Sequence, residues 1–176
     1  MHSQSAGQEP VRHADEGVDA VQPCQCDLVG VAHAHGEYRL VVLKATAAGT
    51  VLFRVLGDET PVPTRYSVQI GKELHLDSGS GARTEDVVFR YFWRFMNHHC
   101  EPTTMIRGRE VVALRDIAPW EDVTFNYNTT EANMAEPFLC RCGSARCEGT
   151  IRGARHLSAA DRERLRSQMA PWLLAD

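Results

Sequence analysis

Arg94-Phe95-Met96-Asn97-His98-His99-Cys100-Glu101-Pro102 is the stretch on which the fold of this chain turns. It is read together with two later pieces: Tyr127, at the end of the extended segment Asp122-Val123-Thr124-Phe125-Asn126-Tyr127, and the cysteines Cys140, Cys142 and Cys147. Cys100 lies far from the other three in sequence. If all four hold one metal, the last third of the chain folds back onto its middle.

The later cysteines form a C-x-C-x4-C pattern, with Gly143-Ser144 as a turn that lets backbone wrap closely around an ion. Zinc takes four ligands, and this pattern supplies three. On spacing alone the fourth is Cys100, the pair Cys24 and Cys26, or a histidine. With a complete set elsewhere, Cys24 and Cys26 are expected to be surface thiols next to a mobile arm. Six cysteines could instead make three disulfides, but the polar opening Met1 to Ala20 has no apolar signal core. A reducing compartment, cytoplasmic or in a eukaryote nuclear, is the expected address, and metal binding the expected use of the thiols.

The 176 residues, 43% hydrophobic and 24% charged, suit one domain with a real core. A net charge of -4 argues against direct nucleic-acid binding through phosphate neutralisation and suits a basic protein partner. No run approaches the ~18 apolar residues of a membrane span.

Residues 1 to about 23 lack helix or strand periodicity and read as a disordered arm. Short aliphatic runs follow at Leu28–Ala32, Tyr38–Leu43 and Thr50–Val55, and Tyr66-Ser67-Val68-Gln69-Ile70 with Glu73–Leu76 reads as a hairpin, Tyr66, Val68 and Ile70 sharing a face. Thr84 is expected to cap one helix running through Val88, Phe89, Phe92, Trp93 and Met96. Two further strands, Glu110–Leu114 and Asp122–Tyr127, are joined by a turn at Ala118-Pro119. The segment from Phe138 to Gly153 has no core-forming period and is expected to order only around a metal or cross-link. Ser158-Ala159-Ala160-Asp161 opens a final helix stopped by Pro171, with Arg162 to Arg166 as a solvated face. The fold class is mostly β.

Arg94 to Pro102, Asp122 to Tyr127 and the cysteine pattern, in this order, resemble the SET-domain protein lysine methyltransferases with a post-SET zinc segment, whose motifs run R-F-I-N-H-S-C-x-P-N and E-L-T-Y-D-Y or E-L-T-F-D-Y. The resemblance covers about Leu28 to Gly153. It implies a β-clip fold of small curved sheets with a pseudoknot-like crossing, short helices and a C-terminal zinc segment. The implied division is an N-terminal arm over 1–26, a SET domain over 27–136, a zinc segment over 137–153 and a C-terminal helix over 154–176. By the same resemblance Asn97 and His98 bind S-adenosylmethionine, Phe138 or Leu139 covers its adenine, Tyr127 is the catalytic tyrosine and also meets the cofactor, Tyr66 lines the lysine channel, and Phe125 sets how many methyl groups fit. Cys100, Cys140, Cys142 and Cys147 become the zinc ligands.

The implied activity is transfer of methyl groups from S-adenosylmethionine to a lysine of a histone or another basic protein, to the di- or trimethyl state. The rival is a SET-like module that has lost catalysis and binds a peptide. Its support is the family's G-x-G, which falls here at Glu37-Tyr38-Arg39, with Gly36 available in a shifted register. His99 stands for the usual serine and Trp120 for the glycine of the usual P-G-E turn.

Overall fold

A computed structural model describes residues 20–34, 36–79 and 81–175. The first 19 residues, most of the expected arm, lie outside it. Its last residues do not belong to an arm: Ala20–Pro23 forms β1, antiparallel to β2 (Val29–Ala34), which turns at Gly36 into β3 (Glu37–Val42). Gly36 has φ 80°, the left-handed shape that the hairpin turn needs. Both faces of β3 are covered, Leu40 and Val42 by the main core and Val41 by Val21, Ala32 and Trp120. That is why its end, Leu40-Val41-Val42, reads as an unbroken apolar run.

A second sheet orders β4 (Val51–Arg54), β10 (Glu110–Ala113) and β9 (Thr104–Arg107). A third orders β5 (Asp58–Thr60), β7 (Leu74–Asp77) and β6 (Val68–Gly71). The β6–β7 hairpin is the expected one, but Tyr66 lies before it and is half exposed. β5 and β9 carry no apolar alternation that marks them alone; each is a strand because a neighbour, β7 or β10, pairs with it.

The expected single helix is two pieces. Thr84–Phe89 is α1, entered from Arg83 without a side-chain cap, and a separate 3-10 turn runs through Phe92–Phe95. Valines and aromatics at six of the seven positions from Val87 to Trp93 are weak helix formers, and burying Phe92, Trp93 and Met96 outweighs helical continuity. Trp93 is 1% exposed and its indole N–H donates to the Leu56 carbonyl at 2.8 Å.

Asn97–His98 is β8, paired in parallel with β11 (Thr124–Phe125), Asn97 opposite Thr124 and His98 opposite Phe125. Parallel neighbours need a long connection, and here the β9–β10 hairpin supplies it. β10 and β11, although joined through the Ala118-Pro119 turn, belong to different sheets.

The C-terminal part holds β12 (Phe138–Leu139) and β13 (Thr150–Ile151), antiparallel, then α2 (Ala159–Leu165) and α3 (Pro171–Leu174). Ser158 caps α2, its hydroxyl accepting from the Asp161 N–H. Phe138 to Gly153 thus has a small order of its own: Ile151 is fully buried with Cys100 and Cys140, against Met134 and Phe138. Arg162 and Arg164 also depart from the expected solvated face. Arg162 donates to the Leu173 carbonyl, and Arg164 to Glu148 at 2.8 Å and Asp161 at 3.1 Å.

Candidate active site and metal centre

The parallel pair β8–β11 sets Asn97-His98 beside Phe125-Asn126-Tyr127, and this alignment builds the site. A cavity of about 650 Å³ opens there, lined by Asn97, His98, Phe125, Tyr127, Tyr66 and Phe138, with Glu37, Arg94, Glu131 and Arg141 among its other walls. Its size is in the usual range for a ligand pocket. Tyr66 stands half exposed with the Arg94 guanidinium 4.3 Å from its ring centre. Leu139, the alternative to Phe138 as an adenine cover, is 62% exposed and does not line the cavity.

Tyr127 is largely buried, which pushes its hydroxyl well above the ordinary phenol range and keeps it protonated. That hydroxyl donates to the Met96 carbonyl at 2.8 Å. Its proton is committed, so the oxygen can only accept from whatever occupies the cavity. Phe125 is buried with its ring 4.6 Å from that of Tyr127.

His98 connects two sites. Its Nδ1 accepts the Tyr127 backbone N–H at 3.2 Å, so in the neutral ring Nε2 carries the hydrogen, 3.2 Å from the Cys100 sulfur. Burial and the neighbouring His99 pull His98 down to about 4, so the ring is neutral at physiological pH.

The sulfur atoms of Cys100, Cys140, Cys142 and Cys147 all lie within 4.8 Å of one another, those of Cys100 and Cys140 at 3.9 Å. Tetrahedral zinc with bonds of about 2.3 Å separates its sulfurs by about 3.8 Å, so four thiolates at this spacing fit the ion. Burial pushes Cys140 up to about 11; Cys142, although burial opposes it, is pulled down to about 6 by the backbone at Cys100 and Ser144 and by the neighbouring thiols. Cys24 and Cys26 are not surface thiols. Both are half buried against the main core, their sulfurs pointing to the Val29 and Leu52 carbonyls, and burial raises Cys24 to about 11.

Glu148 holds the site's framework together, a place that its sequence context does not signal. Its side chain is 3% exposed and accepts from Asn126 at 2.7 Å, Asn128 at 2.5 Å and Arg164 at 2.8 Å, while its backbone N–H points to the Cys100 sulfur at 3.3 Å. The carboxylate therefore ties the residues flanking Tyr127 to α2, and the backbone of the same residue reaches the thiol cluster.

Of the family departures, Arg39 pairs with Asp122 at 2.8 Å beside a second hollow that His99 and Trp120 also line, and Glu37 reaches the main cavity. Trp120 has φ 71°, the only positive value outside glycine among the described residues. The backbone keeps the shape a glycine would take, and the indole packs near Val21, Ala32 and Val41.

A family model described as the SET domain matches residues 12–128. The methyltransferase flvH of Aspergillus flavus is 34% identical over 124 residues, 67% of this chain and 63% of that protein. The histone-lysine N-methyltransferase ash1 of Drosophila melanogaster is 34% identical over 91 residues, 46% of this chain and 4% of that protein. This chain thus spans less than two thirds of either relative. The crystal structure of KRYPTONITE with mCHG DNA and SAH superposes with a TM-score of 0.50 at 24% identity, covering 67% of this chain and 27% of that one, a likeness of fold.

Proposed function

The chain belongs to the SET-domain family, and from that premise we propose that it transfers methyl groups from S-adenosylmethionine to a lysine of a protein. The observation that carries this reading is the convergence of Asn97, His98 and Tyr127 on one cavity beside four thiols at zinc spacing. The bound cofactor supplies an electrophilic methyl on a sulfonium. Asn97, His98 and Phe138, which line the cavity, would hold and cover it. The Tyr127 oxygen, able only to accept, steers polarised C–H or N–H groups along the line of attack.

Phe125 brings no hydroxyl to the channel, and we assign product to the di- or trimethyl state on that ground. Phe125→Tyr should restrict product to lower states; an unchanged distribution by mass spectrometry refutes the assignment. The substrate is a histone or another basic protein, supported by the names of the relatives and by the histone H3 peptide in a KRYPTONITE complex. Exclusion of nucleic acid rests on net charge alone, and KRYPTONITE itself was crystallised with DNA. A cytoplasmic or nuclear address and one zinc per chain belong to the same proposal.

The rival, a binding module without catalysis, is favoured by one observation, the Glu37 carboxylate on the cavity wall where the family has glycine. Titration with S-adenosylmethionine, followed by labelled methyl transfer in cell extract, decides between them. Saturable binding with incorporation supports the enzyme, and no binding supports the module.

A further inference from the structure

Among the described residues, Glu131 is the buried acid on the wall of the main cavity, and the roles above do not use it. It stands four residues after Tyr127, its N–H donating to the Tyr127 carbonyl at 2.9 Å, so one helical turn brings both side chains to the same side. At 6% exposure it shares the cavity wall with Tyr66, Val68, Phe125 and Tyr127.

Its two oxygens have different surroundings. Oε1 accepts the Gln69 backbone N–H at 2.7 Å and the Thr130 hydroxyl at 3.4 Å. No donor among the described residues reaches Oε2 within hydrogen-bond distance; the His75 imidazole stands 3.9 Å away. Gln69 is itself fixed, accepting from the Ala132 N–H and donating to the Gly71 and Lys72 carbonyls. A buried carboxylate with one oxygen anchored and the other open is costly as a core filler and well suited to a cation arriving through the cavity.

We propose that Glu131 receives the ammonium group of the incoming lysine and takes its proton, so that the amine meets the methyl donor neutral. The inference rests on the methyltransferase reading. An N–H bond of the ammonium breaks, its electron pair stays on nitrogen, and the proton passes to Oε2. The nitrogen then bonds to the methyl carbon, displacing sulfur with the pair of the broken C–S bond, and the new alkylammonium carries the charge the sulfonium loses.

Burial holds the Glu131 carboxyl up at about 7, between an ordinary glutamate and a lysine, where a proton acceptor works near neutral pH. The groups that face it leave that role open. His75, from β7, is driven toward neutrality by its own burial, and Tyr127 stays protonated. Across the cavity Arg65 pairs with Glu136 at 3.6 Å, and Arg94 donates to Ser78 at 2.5 Å; Glu37 adds a further negative group.

The test uses the full chain and n-butylamine, a lysine side chain cut at Cβ, titrated by NMR at pH 8 with 1-butanol as the neutral control. In Glu131→Gln, which keeps the Oε1 acceptor, amine affinity should fall roughly tenfold or more, as for a lost charge-assisted contact, with butanol affinity unchanged. Equal amine affinity in the two proteins overturns the proposal. Should the glutamine variant fail to fold, Glu131→Asp keeps the charge one methylene further back and should lower amine affinity alone; a parallel loss for butanol also overturns it. In labelled extract the wild-type rate should level off by about pH 8 while that of Glu131→Gln keeps climbing toward the lysine range, and parallel profiles count against proton transfer. A wild-type protein that transfers no methyl at any pH removes the methyltransferase reading and this step with it, whatever butylamine does.

Discussion

Trp93, Leu40 and Leu76 are fully buried in the body of the molecule, whereas in residues 137–153 Ile151 alone reaches that depth. The body, residues 20–128, is held by an apolar core shared among three sheets and the 92–95 turn. The flap that follows is held by particular atoms meeting particular partners: four thiols, the Glu148 carboxylate with its three donors, and two short strands. Apolar burial is spread over many residues and tolerates the loss of one. A polar hub does not, because each partner left behind is a buried group without a bond. The contrast predicts that the flap can be unseated while the body stays folded.

The largest effect should come from the metal. Elemental analysis should give about one zinc per chain, and chelation or Cys142→Ser should remove it, with cofactor affinity falling on the order of a hundredfold, because His98 links the Cys100 sulfur to the cavity. Circular dichroism should retain the β signal of the body. Chelation that leaves cofactor affinity intact, or melts the whole chain, breaks the contrast.

Tyr127→Phe comes next and sharpens it from the other side. Turnover should drop roughly 10²–10³-fold, whereas stability should change by about 1 kcal/mol, the usual worth of the one hydrogen bond lost to Met96. A fully active variant removes Tyr127 from its role.

Glu148→Ala should cost about 1–3 kcal/mol in docking the flap, since it leaves the Asn126 and Asn128 amides without this acceptor and Arg164 with Asp161 as its remaining carboxylate. Limited proteolysis should then cut first in residues 137–153; cleavage that begins in the body would show that the hub does not act locally. The smallest effect belongs to the body. Trp120→Gly should be more stable than Trp120→Ala by about 1–2 kcal/mol, because only glycine holds φ 71° without strain while both lose the indole packing. Equal thermal midpoints would mean the turn relaxes.

Much of this was legible in the chain. Asn97, His98, Phe125, Tyr127 and the four cysteines are grouped by motifs whose chemistry is carried by residue type and order, and the structure places all of them at two adjoining sites. The β6–β7 hairpin and the Ser158 cap were equally plain, being set by neighbours within a few residues. What escaped was mostly non-local. β5 is a strand by virtue of β7, with β6 between them in the chain, while β1 and β9 lie in hairpins with residues that show no strand pattern of their own. The single helix expected over 84–96 broke because burial of Phe92 and Trp93 outweighed local propensity. Glu131 and Glu148 look like any surface glutamates until Gln69, Asn126 and Arg164 are brought against them.

By itself the sequence determined which atoms are available and in what order: three thiols spaced to share an ion, an Asn-His pair, and a tyrosine ending an alternating extended segment. Only the tertiary structure decided that Cys100 is the fourth thiol, that β8 runs parallel to β11, and that two glutamates lose their water. The division follows from range. Spacing within a few residues constrains what a backbone can bring together, whereas contacts across tens of residues depend on the whole core closing, and no local pattern records which partners that closure delivers.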